Sequence, residues 1–248
     1  STLVLTTYLI VAGFTTFSNV INDIFDFKTD KFNRPNKPLP NHKISIRTAV
    51  IFSIMVLLLC IYATQQLNLL SQNIVYFIVI PVIITYTPVF KSIPLLGNIL
   101  IGTMLGCVFL FSEASFLNQF KIMWVPALLA THLTILRELL KDIEDYEGDL
   151  KSGIKTFPVY FGIKHSLSLL FLLIILLIIW AGFLPLFMVL SPYYLPAFWI
   201  FFCPWIFFIC YLLFWNKSNN YHKISNLLKI ATISGLGVIL TFGSKVVH

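Results

Sequence analysis

The sequence predicts an all-α polytopic membrane protein, and three observations support this fold class. First, 58% of the 248 residues are hydrophobic and 11% are charged, against about 25% charged residues in an ordinary soluble domain. Second, apolar runs of about 20 residues, long enough to cross a bilayer core, recur along the whole chain. Third, most charged residues lie between these runs. We therefore expect a single transmembrane domain over residues 1–248.

The apolar runs predict eight transmembrane helices. The expected spans are residues 3–27, 46–66, 73–90, 94–112, 121–141, 161–187, 193–215 and 224–244. Pro81, Pro88, Pro94 and Pro185 lie within or beside these spans, where a proline removes a backbone hydrogen bond. Kinks or helix ends are expected at these positions.

The positive charge predicts how the helices are oriented. If the chain crosses the membrane at each span, every Lys and Arg except Lys121 and Lys245 falls on one side or at its boundary. Because cytoplasmic loops carry an excess of Lys and Arg, we expect this side to face the cytoplasm at the cell membrane. The net charge of +7 thus has a topological explanation. The sequence has no basic stripe interleaved with aromatic residues, so we expect no nucleic-acid partner.

One spacing of three aspartates occurs twice in this apolar chain. The two triplets are Asp23, Asp26 and Asp30, then Asp142, Asp145 and Asp149. On a helix that turns about 100° per residue, these offsets place three carboxylates within about 60° of arc. Each triplet therefore presents one acidic face, and the predicted topology brings both faces to the same side. Carboxylates brought close together repel one another unless a cation neutralises them.

The two acidic faces predict a divalent-metal site. Carboxylate oxygens are hard ligands that suit Mg²⁺, which also binds substrate phosphate oxygens. Arg34 and Lys37 follow the first triplet on a proline-rich loop, and Lys155 follows the second. Metal ions surrounded by Arg and Lys are suited to a diphosphate. We interpret the six aspartates as metal ligands and catalytic residues, and Arg34, Lys37 and Lys155 as substrate-binding residues.

A short turn between two predicted spans adds three candidate substrate-binding residues. Lys91 stands in this turn on the same side as the aspartates, within reach of a phosphate. Tyr86 and Asn98 lie on either side of it and are expected to line the cavity. Interhelical hydrogen bonding is an equally ordinary use for these two side chains.

Charged residues also end the span that leads into the second triplet. Arg137 and Glu138 stand one turn before Lys141. Ionised residues at the end of an apolar span are costly, and they are usually functional or paired. Arg137 and Lys141 are therefore included as candidate substrate-binding residues, together with Asn22, which opens the first aspartate motif.

These motifs resemble those of the UbiA-type intramembrane prenyltransferases. The hallmark of that family is two motifs, N-D-x-x-D-x-x-x-D and D-x-x-D-x-x-x-D, and both are complete here. The resemblance extends over residues 33–40, 86–98 and 137–162. It implies nine transmembrane helices around a central cavity, with Mg²⁺ and an isoprenyl diphosphate at the two motifs. The first motif ends the second helix in the family but the first predicted span here, which implies that the family's first helix is missing.

The resemblance also implies an activity. Mg²⁺ would neutralise the donor diphosphate and stabilise its departure, and an apolar cavity would hold the isoprenoid tail and exclude water. Residues 137–149 are similar to those of the archaeal ether-lipid subgroup. This similarity implies transfer of a geranylgeranyl group to the hydroxyl of geranylgeranylglyceryl phosphate, giving an ether lipid. Prenylation of an aromatic quinone or chlorin precursor is the alternative. The implied partners are an isoprenyl diphosphate, a lipophilic acceptor and membrane lipids.

A cation transporter is the competing class of function. It would also be polytopic and would carry Asp residues to bind its ion. Transporter sites favour discontinuous helices near the membrane midplane. The aspartates here lie at predicted helix ends beside basic residues, which favours an enzyme.

Overall fold

A computed structural model describes residues 2–186, 188, 190–215 and 220–241. The regular structure in these residues is entirely helical, which confirms the predicted all-α class. In chain order the helices are α1 (Thr2–Phe25), α2 (Phe27–Asn33), α3 (Ile46–Thr64), α4 (Leu69–Phe90), α5 (Leu96–Leu117), α6 (Trp124–Glu144), α7 (Tyr146–Ser152), α8 (Phe157–Phe161), α9 (Ile163–Leu186), α10 (Tyr194–Trp215) and α11 (Tyr221–Leu240).

Seven helices in the described part of the chain are long and apolar enough to cross a membrane. They are α1, α3, α4, α5, α9, α10 and α11. Helix α6 overlaps the predicted span 121–141 but begins and ends three residues later, and Arg137, Glu138 and Lys141 lower its apolar character. The count of eight spans and the missing first helix therefore stay predictions. Residue 187, residues 242–244 of the last predicted span and Lys245 lie outside the described residues.

Helix α4 contains two π-helical turns close to its prolines. Val75–Val79 forms the first turn, shortly before Pro81, and Tyr86–Phe90 forms the second, around Pro88. A proline cannot donate a backbone hydrogen bond, and a wider turn lets the helix continue past it. The N–H of Lys91 accordingly donates to the carbonyl of Tyr86, five residues back, at 2.8 Å. This bond closes the helix directly before the turn that carries Lys91.

The described part of the bundle has two apolar cores. One lies among α1, α3, α4 and α5 and includes Ile10, Phe14, Cys60, Val75 and Phe111. The other lies among α6, α9, α10 and α11 and includes Leu136, Leu140, Leu170, Ile206 and Leu228. Large apolar side chains such as Phe77 and Leu59 remain exposed on the outside, as expected of a surface that faces lipid.

Helices α5 and α6 join the two cores by unusually close packing. A side chain at Gly106 would place its Cβ 2.6 Å from the carbonyl oxygen of Ala127, and one at Gly102 would lie 2.8 Å from that of Thr131. Only glycine permits this approach at positions four residues apart, the spacing common where membrane helices meet. The contact sets the distance between Asn98 at the start of α5 and the end of α6.

A buried acid holds the turn between these two helices at the opposite end of the bundle. Glu113 is 4% exposed. Its carboxylate accepts hydrogen bonds from the backbone N–H groups of Lys121 at 3.0 Å, Ile122 at 2.8 Å and Met123 at 3.2 Å. These donors lie just before α6, where backbone N–H groups lack partners within the helix. Glu113 thus fixes the entry of α6 into the bundle.

Candidate active site

The two aspartate triplets have nearly the same backbone conformation. Their middle residues, Asp26 and Asp145, stand at the junctions between α1 and α2 and between α6 and α7. Their dihedral angles are φ −79°, ψ 0° and φ −85°, ψ 3°, respectively. Helical hydrogen bonding continues through both junctions, since the N–H of Asp30 donates to Asp26 at 2.8 Å and that of Asp149 to Asp145 at 2.9 Å. The helical spacing predicted from the sequence is therefore preserved.

Both triplets line one cavity of about 490 Å³ at one end of the bundle, here called the polar cavity. Most of the predicted site residues meet there. They are Asn22, Asp23, Asp26, Asp30, Arg34, Lys37, Tyr86, Lys91, Asn98, Lys141, Asp142, Asp145 and Asp149. Arg137 instead lines a second cavity, and the exposed Lys155 lines neither one. The substrate-binding roles of Arg137 and Lys155 stay predictions.

The first triplet lies against two lysines. The Lys37 ammonium donates to Asp23 at 2.8 Å and to Asp30 at 2.7 Å. Partial burial opposes the charge on Lys37, but these two ion pairs outweigh the burial and raise its pKa. The Lys91 ammonium pairs with Asp26. Every carboxylate of the first triplet thus has a cationic partner.

The second triplet has different partners. The Asn98 side-chain amide donates to Asp142 at 2.7 Å. The Arg34 guanidinium reaches from the loop after the first triplet to pair with Asp145 at 3.0 Å. Asp149 is buried, and burial together with the nearby Asp145 carboxylate raises its pKa to about 6. Asp145 thus has a cationic partner from the loop after the first triplet. Among the described residues, Asp142 and Asp149 have no ion pair.

The donor chemistry of the polar cavity fits a hard divalent cation. Its carboxylate and amide oxygens are of the kind that Mg²⁺ prefers. In the part of the chain that the structure describes, however, no three carboxylate, imidazole or thiolate groups are arranged to hold a metal ion. Lys37, Lys91 and Arg34 contact the carboxylates instead. Metal ligation by the six aspartates therefore stays a prediction and requires these basic side chains to move aside.

A second cavity of about 500 Å³ extends from the first toward the middle of the bundle. It is lined mainly by apolar side chains of α1, α4 and α5, among them Ile10, Phe14, Val75 and Phe111. We call it the apolar cavity. Both cavities are bordered by Asn19, Asn22, Tyr86, Ile101, Glu138 and Lys141. The two spaces therefore adjoin, and together they suit a ligand with an anionic head and a long apolar tail.

Several residues of this site were not selected as site residues from the sequence. Asn19 and Glu138 border both cavities, and Thr29 and Thr156 line the polar cavity. Asn19 stands four residues before Asp23 on α1, a helical offset that places the two on one face. Glu138 has the same offset from Asp142. This offset was the available signal for both residues.

Fold and site together define a class of protein: a helical membrane bundle in which an acidic, basic-lined cavity adjoins an apolar one. The UbiA prenyltransferase family model matches residues 1–233. The chain belongs to the UbiA prenyltransferase family and is a multi-pass membrane protein.

Sequence relatives indicate a subgroup within the family. Digeranylgeranylglyceryl phosphate synthase of Haloquadratum walsbyi is 35% identical over 154 residues, covering 61% of this chain and 53% of the relative. The synthase of the same name from Methanobrevibacter smithii is 37% identical over 166 residues, covering 64% of this chain and 58% of the relative. The synthase of the same name from Saccharolobus solfataricus is 31% identical over 230 residues, covering 92% of this chain and 79% of the relative. The chain thus spans little more than half the length of the first two relatives.

Solved structures show the same architecture. A structure of digeranylgeranylglyceryl phosphate synthase superposes with a TM-score of 0.69 at 30% identity, covering 96% of this chain and 83% of the other. A UbiA homolog from Archaeoglobus fulgidus, bound to GPP and Mg²⁺, superposes with a TM-score of 0.70 at 20% identity, covering 96% and 88%. These similarities confirm the UbiA-type fold predicted from the two motifs.

Proposed function

We propose that this protein transfers a geranylgeranyl group from its diphosphate to the hydroxyl of geranylgeranylglyceryl phosphate in a Mg²⁺-dependent reaction that forms an ether lipid. The observation that carries the proposal is the pair of adjoining cavities. A prenyl diphosphate has an anionic head that matches the polar cavity and a hydrocarbon tail that matches the apolar one. The relatives named for this reaction support the choice of acceptor.

In this proposal the basic residues around the aspartates bind the diphosphate. Lys37, Lys91 and Arg34 exchange their carboxylate partners for phosphate oxygens, and the six aspartates become free to act as metal ligands. Bound Mg²⁺ supplies positive charge that neutralises the diphosphate and stabilises it as it leaves. The aspartate carboxylates and the diphosphate compete for the same three basic side chains. This competition couples donor binding to metal binding.

The apolar cavity would hold the isoprenoid tail. Side chains such as Phe14 and Phe111 exclude water from the allylic carbon, which would otherwise be attacked by water after the diphosphate leaves. The acceptor hydroxyl then attacks this carbon at the boundary of the two cavities. An ion transporter does not need an apolar chamber beside its charged site, so this arrangement favours transfer chemistry.

We also propose that the polar cavity faces the cytoplasm at the cell membrane. The basic residues around both aspartate motifs lie at that end of the bundle, as expected from the positive-inside tendency. A site there would be open to a donor and an acceptor that are both phosphorylated.

Purified protein in lipid nanodiscs, supplied with geranylgeranyl diphosphate, Mg²⁺ and either geranylgeranylglyceryl phosphate or an aromatic acid, tests the proposal. We expect mass spectrometry to detect the diether, and chelation of Mg²⁺ to abolish it. An aromatic product alone would keep the prenyltransferase chemistry and overturn the acceptor. No transfer to either acceptor by protein that binds the donor would overturn the proposed reaction.

A further inference from the structure

Glu138 has a position that no other acid shares. It borders both the polar and the apolar cavity, and it is the one carboxylate among the described residues that lines the apolar cavity. It is 8% exposed. An ionised residue this far along an otherwise apolar helix is costly unless it is paired or functional.

The two carboxylate oxygens of Glu138 are held differently. Arg137 donates to Oε1 at 2.7 Å. Oε2 lies 3.7 Å from the Lys141 ammonium, beyond hydrogen-bond distance. Within the described residues, no hydrogen bond is donated to Oε2. Arg137 thus fixes the orientation of the group, and one oxygen stays available to accept a proton.

This position coincides with the place where the proposed reaction releases a proton. If the diphosphate occupies the polar cavity and the tail the apolar one, the carbon that joins them lies at their shared boundary. The six aspartates are on the polar side, where metal ligation would engage their lone pairs. Glu138 lies at the boundary itself. Because Oε2 accepts no hydrogen bond among the described residues, this carboxylate can accept a proton there.

We propose that Glu138 is the general base that accepts the proton of the acceptor hydroxyl; this inference rests on the proposed function. The bond between C1 of the isoprenyl group and the bridging oxygen breaks, and the diphosphate leaves with the electron pair. The hydroxyl oxygen bonds to C1, and its proton moves to Oε2 of Glu138. The carboxyl group then returns the proton to water in the polar cavity. The products are the ether and diphosphate.

The role predicts that loss of the base separates two steps of the reaction. Departure of the diphosphate needs no proton acceptor, whereas formation of the ether does. Cleavage of the C1–O bond is followed by positional isotope exchange, in which ¹⁸O in the bridging position of geranylgeranyl diphosphate scrambles into the non-bridging positions. An acceptor analogue that carries hydrogen in place of the hydroxyl keeps the site closed without consuming the donor.

We expect Glu138→Gln to lower ether formation on the order of 10²–10⁴-fold, the usual contribution of a general base. Its donor affinity, measured calorimetrically with Mg²⁺, and its isotope exchange should stay within about threefold of wild type, because the metal ligands are untouched. Glu138→Asp should recover part of the rate. Glu144→Gln is the matched control, since this acid on the same helix pairs with His222 at 2.7 Å and lines neither cavity.

Two results would overturn the role of Glu138. Ether formation by Glu138→Gln at the wild-type rate would place the base elsewhere. An equal loss of isotope exchange and ether formation would show that Glu138 acts on diphosphate departure or on the shape of the site. Failure of the proposed function would look different, because wild-type protein would then exchange isotope without forming the ether, or would do neither.

Discussion

The two aspartate triplets share their spacing and backbone conformation but differ in their electrostatic surroundings. All three carboxylates of the first triplet pair with lysines. In the second triplet, Asp145 has a cationic partner, Asp142 has a neutral amide, and Asp149 is buried. A sequence repeat has therefore produced two halves of a site with different needs for an added cation. The second half has the greater need, since burial and repulsion disfavour its ionised form.

Removing one carboxylate from each triplet should have the largest effect. Asp26→Asn and Asp142→Asn are both expected to lower prenyl transfer on the order of 10²-fold or more, because each removes a proposed metal ligand. Their effects on the free energy of unfolding without Mg²⁺ should differ. Asp26→Asn removes the negative charge that pairs with the Lys91 ammonium and should cost about 1–2 kcal/mol, because a hydrogen bond between charged groups contributes more than one to a neutral amide. Asp142→Asn retains an amide oxygen for Asn98 and should change stability by less than about 1 kcal/mol.

Transfer assays and thermal unfolding of both variants in nanodiscs measure these quantities. Equal destabilisation by the two substitutions would contradict the difference between the triplets. Full transfer activity in either variant would contradict the proposed metal ligation.

A fall in pH should weaken Mg²⁺ binding, because it protonates Asp149 of the second triplet. The pKa of Asp149 is raised from 3.8 to about 6. An acid with a raised pKa binds its proton more tightly in the folded protein, so the stability that it costs at neutral pH is recovered as the pH falls through about 6. Mg²⁺ must displace that proton. Through Asp149 alone, the affinity for Mg²⁺ without diphosphate should therefore fall about tenfold between pH 7 and pH 5.

Titration calorimetry at pH 7, 6 and 5 compares wild type with Asp149→Asn for this effect. The variant should bind Mg²⁺ more weakly at pH 7 but should lose less affinity on acidification. A decline of the same size in both proteins would assign the pH dependence to another group.

The smallest effect is expected for the ion pair between Arg34, on the loop after the first triplet, and Asp145 of the second triplet. Arg34 and Asp145 have side chains that are 44% and 38% exposed, and exposed pairs contribute about 0–1 kcal/mol. Arg34→Ala should thus change the free energy of unfolding by less than about 1 kcal/mol. Lys37→Ala should cost more, because it leaves Asp23 and the buried Asp30 without a cation. Chemical unfolding measures both, with the exposed Lys28 as the site of a control substitution to Ala.

Much of this architecture could be predicted from local sequence. Apolar runs long enough to cross a bilayer gave helix positions that agree with α1, α3 and α10, because backbone polar groups in lipid must be satisfied within a helix. The acidic faces followed from the helical period alone. The junctions between consecutive helices at Asp26 and Asp145 were not predicted. A single residue between two helices leaves the helical spacing of the aspartates unchanged, so the sequence pattern does not reveal it.

The partners of the charged residues could not be predicted in this way. Arg34 follows the first triplet in the chain, yet its guanidinium pairs with Asp145 of the second triplet. Arg137 stands beside motif residues in the chain, but its side chain lines the apolar cavity. A neighbour in sequence on a helix points about 100° away, so proximity to a motif does not determine which cavity a residue lines.

The sequence by itself determined that this chain forms membrane helices and that it carries two equivalent acidic faces with basic residues nearby, since hydropathy and helical period are local properties. Only the tertiary structure decided that both faces border one cavity, that this cavity adjoins an apolar one, and that Glu138 stands between them. These relations depend on close packing of α5 against α6 at Gly102 and Gly106 and on the approach of α1 and α4. Side chains distant in the chain meet only once the helices are packed.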